Sequence, residues 1–67
     1  MIKELYEDFY GCTYCLLINT DGRTNMSVRL PRGDLYKTKT YLTYRGARIA
    51  LGKISEGTAH LTGRKEV

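Results

Sequence analysis

The apolar positions change period along the chain. Ile2, Leu5, Tyr6 and Phe9 fall at i, i+3, i+4 and i+7, with Lys3, Glu4, Glu7 and Asp8 on the other side. That stripe predicts a short N-terminal helix. Gly11 follows where a helix closes in the left-handed conformation. Asp8 would lie near the negative end of the helix dipole, so this helix is expected to hold only when docked on an apolar surface.

Beyond Gly11 the period drops to two. Cys12–Asn19 and Arg23–Leu30 flank Thr20-Asp21-Gly22, and the second run alternates Thr24, Met26, Val28 and Leu30 with Arg23, Asn25, Ser27 and Arg29. A two-residue turn would set Tyr14, Leu16 and Ile18 on the face of Arg29, Ser27 and Asn25. A three-residue loop with Gly22 left-handed pairs Ile18 with Thr24, Leu16 with Met26 and Tyr14 with Val28, and hydrophobic matching favours it. Leu30-Pro31-Arg32-Gly33-Asp34 is a turn, with Pro31 preset for the first corner. Residues 35–44 alternate again and are dense in Thr and Tyr, which predicts a strand.

Residues 46–54 read as a further strand after a tight turn at Arg45-Gly46, pairing Leu42 with Ile49. A short helix is the alternative there, and Gly46 and Gly52 argue against it. Ser55-Glu56-Gly57 resembles the earlier Thr-Asp-Gly loop and would set Leu51 opposite Leu61. The tail from Gly63 reads as frayed. The expected fold is α+β: a short N-terminal helix packed on an antiparallel meander of four to five strands, as an open sheet or a small barrel. Residues 1–67 form one small domain with no internal repeat, near the size at which a hydrophobic core only just suffices. Its expected core combines Ile2, Leu5, Phe9, Tyr14, Leu16, Ile18, Met26, Val28, Leu30, Leu42, Ile49, Leu51 and Leu61.

Charge adds a direction. The net charge of +4 is unevenly placed, with the first eleven residues acidic and the remainder basic. A basic body fits a polyanion or an acidic protein surface as partner. No apolar run reaches membrane-spanning length, and Met1-Ile2-Lys3-Glu4 lacks the layout of a signal peptide. Two cysteines are too few for a disulfide framework, so a cytoplasmic protein is expected.

Three motifs invite chemistry. Cys12-Thr13-Tyr14-Cys15 has the spacing of a zinc knuckle, but the chain offers one further histidine, His60, and a spacing of three on a strand sends the thiols to opposite faces. A redox pair would sit at a helix N-terminus, whereas this pair precedes a strand. Arg32-Gly33-Asp34 spells an adhesion tripeptide and is explained by turn chemistry alone. His60 has no nucleophile or carboxylate beside it by local spacing. No enzyme activity, metal, cofactor or small-molecule substrate is expected.

In the register chosen above, the outer sheet face collects Arg23, Arg29, Lys37, Lys39, Tyr41, Arg48 and His60, with Thr43 and Thr62 between. Cations near an aromatic ring can neutralise phosphates while the ring stacks on a base. Strand 12–19 is also apolar on both faces, which leaves Leu17 and Cys15 in need of cover. A helix followed by five strands is the element order of Sm-like RNA-binding proteins. Tyr44-Arg45-Gly46-Ala47-Arg48-Ile49 resembles their second motif, and Asp21-Gly22-Arg23 part of their first. This is an analogy of fold. The expected function is therefore non-enzymatic binding of nucleic acid or a nucleoprotein complex through a basic, Tyr-containing face. The alternative is a compact regulator or inhibitor of the viral or mobile-element type. It would bind a host protein through Tyr and Leu17, and self-association through the same surface is a further option. No membrane is involved in either reading.

Overall fold

A computed structural model describes residues 1–67. Five strands form one open antiparallel sheet: β1 (Ile2–Glu7), β2 (Thr13–Ile18), β3 (Thr24–Arg29), β4 (Leu35–Tyr41) and β5 (His60–Glu66), in the order β4-β3-β2-β1-β5. The one helix, α1 (Tyr44–Ile54), connects the two edge strands across one face of the sheet.

The N-terminal helix expected from the apolar stripe is therefore wrong; residues 2–7 are a strand. The cause lies in what this strand buries. Its even positions face the helix side, where Glu4 and, just past the strand's end, Asp8 are 4% and 6% exposed. With carboxylates among the buried positions, the apolar–polar alternation of a strand is disguised, and the leftover Ile2, Leu5, Tyr6 and Phe9 mimic a helical stripe. Each carboxylate is matched by hydroxyl donors, as a buried charge requires. Glu4 Oε1 accepts from Tyr6 Oη at 2.9 Å and Tyr44 Oη at 2.7 Å. Asp8 Oδ2 accepts from Tyr14 Oη at 2.6 Å, and its Oδ1 from the backbone N–H groups of Tyr10 and Cys12, each at 2.9 Å.

The hairpins β1–β2, β2–β3 and β3–β4 share one loop. In each, three residues end on a glycine with positive φ: Gly11, Gly22 and Gly33, spaced by eleven. The β2–β3 register pairs Ile18 with Thr24, Leu16 with Met26 and Tyr14 with Val28, as the hydrophobic matching predicts. The adhesion-like tripeptide lies in the third loop, where Arg32 faces Asp34 at 3.6 Å.

Residues 46–54, read from sequence as a strand, are helical. Tyr44, Ala47, Leu51 and Ile54 form the inward stripe, and Thr43 caps the helix by accepting from Gly46 N–H at 3.0 Å. The two glycines differ in consequence. A Cβ at Gly46 would lie 3.2 Å from the capping hydroxyl, whereas at Gly52 it would meet nothing within 4 Å. Gly52→Ala is expected to stabilise the protein by up to about 1 kcal/mol, read as a higher urea midpoint, and Gly46→Ala to gain less. Equal gains would contradict this account of the cap.

Because Tyr44–Ile49 begins this helix, the analogy with Sm-like proteins fails in both element order and motif placement. The core is Tyr6, Tyr14, Leu16, Met26, Val28, Ala47 and Leu51. Leu5, Phe9, Leu42, Ile49 and Leu61, expected inside, are exposed. The tail from Gly63 is paired rather than frayed, because β5 hydrogen-bonds along β1.

Candidate functional site

Alternation divides the side chains between a helix-covered face and a helix-free face. On the free face, cross-strand pairing builds two rows: Thr40, Asn25, Leu17, Lys3 and Lys65, then Thr38, Ser27, Cys15, Leu5 and Gly63. Beyond them Arg29 and Thr13 face each other, and Glu7 pairs with His60. The floor is made of short or apolar side chains, with Cys15, Leu17 and Ser27 half-buried and Leu5 exposed.

Two shallow depressions flank Leu5. One, of about 300 Å³, is lined by Lys3, Leu5, Thr13, Cys15, Ser27 and Arg29 among others. The second, of about 310 Å³, is lined by Lys3, Leu5, Gly63, Arg64 and Lys65. Lys3 belongs to both. It also stands directly opposite Lys65, a like-charge cross-strand pair that destabilises a sheet unless something anionic relieves it. Neither lysine forms an ion pair; the three ion pairs of the molecule are Arg23–Asp21, Arg32–Asp34 and Arg64–Glu4. Glu7 is the only carboxylate on this face.

The residues expected to form one basic surface are split by the sheet. Arg29 and Leu17 lie on the helix-free face. Lys37 and Lys39 pair with Val28 and Met26 and so project on the helix side of edge strand β4. Tyr41 pairs with Thr24, is half-buried against the core and carries Lys39 Nζ 5.2 Å above its ring. Arg48 lies on α1, over the rings of Tyr6 and Tyr44, and donates to Tyr44 Oη at 2.8 Å. Arg23 precedes β3 and faces Asp21 at 3.8 Å in the hairpin loop. The shared face is lost for two reasons: the register shift at Tyr36 sets Lys37 opposite Val28 and Lys39 opposite Met26, and the helix at 44–54 replaces the hairpin that would bring Arg48 beside Lys37.

Lys3 and Lys65 were not legible as site residues, because one lay in a segment read as helix and the other in a tail read as frayed. The spacing of Gly11, Gly22 and Gly33 is the signal that finds Lys3: three equal hairpins require a strand before Gly11.

The two thiols stand apart. Cys12 packs against the core, while Cys15 lies on the helix-free face. Burial first, and then the charge of Asp8, push the Cys12 thiol up, away from the thiolate a metal or a redox partner needs. No three His, Cys, Asp or Glu side chains group closely enough to hold a metal ion.

Both sheet edges are blunted. β4 and β5 carry Lys37, Lys39, Arg64 and Lys65, and each pairing shifts register once, at Tyr36 and at Thr62. Charge and bulges of this kind discourage strand addition, so the broad face rather than an edge is the surface on offer. No helix is long and apolar enough to cross a membrane. Compared with known proteins, the chain matches no family model, no curated protein and no solved structure.

Proposed function

We propose that the protein is a non-enzymatic nucleic-acid-binding module that engages phosphates through the helix-free face of its sheet. The observation that carries this reading is the unrelieved Lys3–Lys65 pair, with Arg29 on the same face and a single carboxylate there. Anionic oxygens seated between these cations would remove the repulsion and gain charge-assisted hydrogen bonds. The chain's other acidic groups are mostly engaged elsewhere: Glu4 and Asp8 inside, Asp21 and Asp34 with their own loop arginines. The free thiols fit action in a reducing compartment such as the cytoplasm.

The alternative, a regulator that binds a host protein through tyrosines and Leu17, draws less support. Tyr6, Tyr14, Tyr41 and Tyr44 all turn toward the helix side, leaving Leu17 without aromatic neighbours on its own face.

Polynucleotide binding measured against salt tests the proposal. With Lys3 and Lys65 each engaging a phosphate, log K is expected to fall with log salt at a slope of about −1.8, or roughly 12-fold between about 50 and 200 mM. Lys3→Glu is expected to weaken binding at least tenfold while raising stability by about 0.2–1 kcal/mol, because it turns a repulsive cross-strand pair into an attractive one. Lys37→Glu changes net charge equally on the other side of the sheet and should weaken binding far less. Equal losses from the two variants would contradict the assignment of the face, and no retention of DNA or RNA at low salt would overturn the function.

A further inference from the structure

Resting on that reading, we infer that the nucleic acid is duplex DNA, read in its major groove by Asn25 and Arg29. Single strands are held by rings on which bases stack. This face presents none in its rows: four tyrosines face the helix side, Tyr10 lies in a loop tip, and Tyr36 sits at the register shift of the outer strand. Short hydrogen-bonding side chains stand there instead, namely Thr13, Asn25, Ser27, Thr38 and Thr40.

Two of the polar groups are already oriented. Thr40 Oγ1 donates to Asn25 Oδ1 at 2.9 Å, which fixes the amide plane and leaves its two N–H donors and a second lone pair free. Arg29 Nη1 donates to the Gly33 carbonyl at 3.1 Å, tethering one corner of the guanidinium and leaving its other donors outward. Asn pairs with the adenine edge and Arg with the guanine edge in the major groove.

Spacing agrees. Asn25 and Arg29 are four residues apart on one strand, roughly 13 Å, close to four base-pair steps of about 3.4 Å. A groove about 12 Å wide admits a two-stranded ribbon, and β3 with β4 is such a ribbon at one edge of the sheet. Lys3 on β1 and Lys65 on β5 lie two and three strands away, roughly 10 and 14 Å, which suits a flanking phosphate rail.

The test selects duplexes from a random-sequence pool with the full chain, then compares three probes by anisotropy: the selected duplex, its separate strands and an A-form RNA duplex of the same sequence. The selected duplex is expected to bind at least tenfold tighter than either of the others. Asn25→Ala, an exposed substitution, is expected to lose about tenfold on the selected site and less than twofold on an unselected duplex. Equal or tighter binding of single strands or RNA, or equal losses of Asn25→Ala on both duplexes, would overturn the inference while leaving the phosphate-binding face intact. Absence of binding to all probes would overturn the function as well.

Discussion

Asp8→Ala is expected to cost about 3–5 kcal/mol and to unfold a large share of the protein at ambient temperature. Three donors converge on this one side chain, and alanine leaves the buried Tyr14 hydroxyl and two loop N–H groups without their acceptor. A domain of this length has a total stability of only roughly 3–10 kcal/mol. The damage also spreads, because Asp8 fixes the first hairpin loop against its neighbours. Phe9 N–H donates to Thr58 Oγ1 at 3.1 Å, and a Cβ on Gly11 would approach Pro31 to 3.3 Å. Asp8→Asn keeps an acceptor for the loop and a group that can pair with the tyrosine, so its cost is expected to stay near 1–2 kcal/mol. Urea denaturation followed by circular dichroism separates the two. An Asp8→Ala protein with an unchanged midpoint would show that the carboxylate is incidental to the fold.

Alkaline pH should unfold the molecule for a related reason. Burial raises the Tyr14 hydroxyl well above its ordinary value, and the bond to Asp8 adds to this. Burial likewise raises Tyr6, helped by its neighbours Tyr44 and Glu4. An unfolded tyrosine ionises near pH 10, at about its free value. Above that pH the native state still holds two protons that the unfolded chain has released. Stability is therefore complete below about pH 10 and falls as pH rises toward the folded values. The slope is roughly 1.4 kcal/mol per pH unit for each tyrosine. Urea midpoints at about pH 8 and pH 11 read the loss, and ionisation of Tyr6 and Tyr14 should coincide with unfolding. Ionisation of every tyrosine near pH 10 with the fold intact would contradict the buried hydroxyl–carboxylate pairs.

The same pairs explain what the sequence made readable. The β2–β3 register was legible to the residue because hydrophobic matching pairs Leu16 with Met26 and Tyr14 with Val28 inward, β3 turns Asn25, Ser27 and Arg29 outward, and the loop ends on Gly22. The first strand was not, since Glu4 and Asp8 occupy inward positions on terms set by Tyr6, Tyr14 and Tyr44, and two of those partners lie in other elements. The helix at 44–54 was masked by its glycines. Gly46 is in fact suited to a site beside the capping hydroxyl, and Gly52 sits in open space where its intrinsic cost is tolerated. The placement of the thiols on opposite sides was legible from spacing alone, because a strand alternates whatever its neighbours are. The proposed binding face was half legible. Arg29 and Leu17 follow from alternation in β2 and β3, while Lys3 and Lys65 meet only through the β1–β5 pairing, a contact between the two ends of the chain.

That pairing also links stability to the proposed function. Two lysines held opposite one another weaken the sheet slightly, and substitution of either by a carboxylate is expected to strengthen the fold as it weakens binding. Opposite signs from one substitution distinguish a binding site from a structural one. Chemical-shift mapping with isotope-labelled protein and duplex DNA at about 50 mM salt examines the face itself. The expected result is perturbation at Lys3, Cys15, Leu17, Asn25, Arg29 and Lys65, with α1 and the Phe9–Tyr10 loop unchanged. Perturbation confined to α1 and that loop, or none at all, would contradict the assignment of the helix-free face as the binding surface.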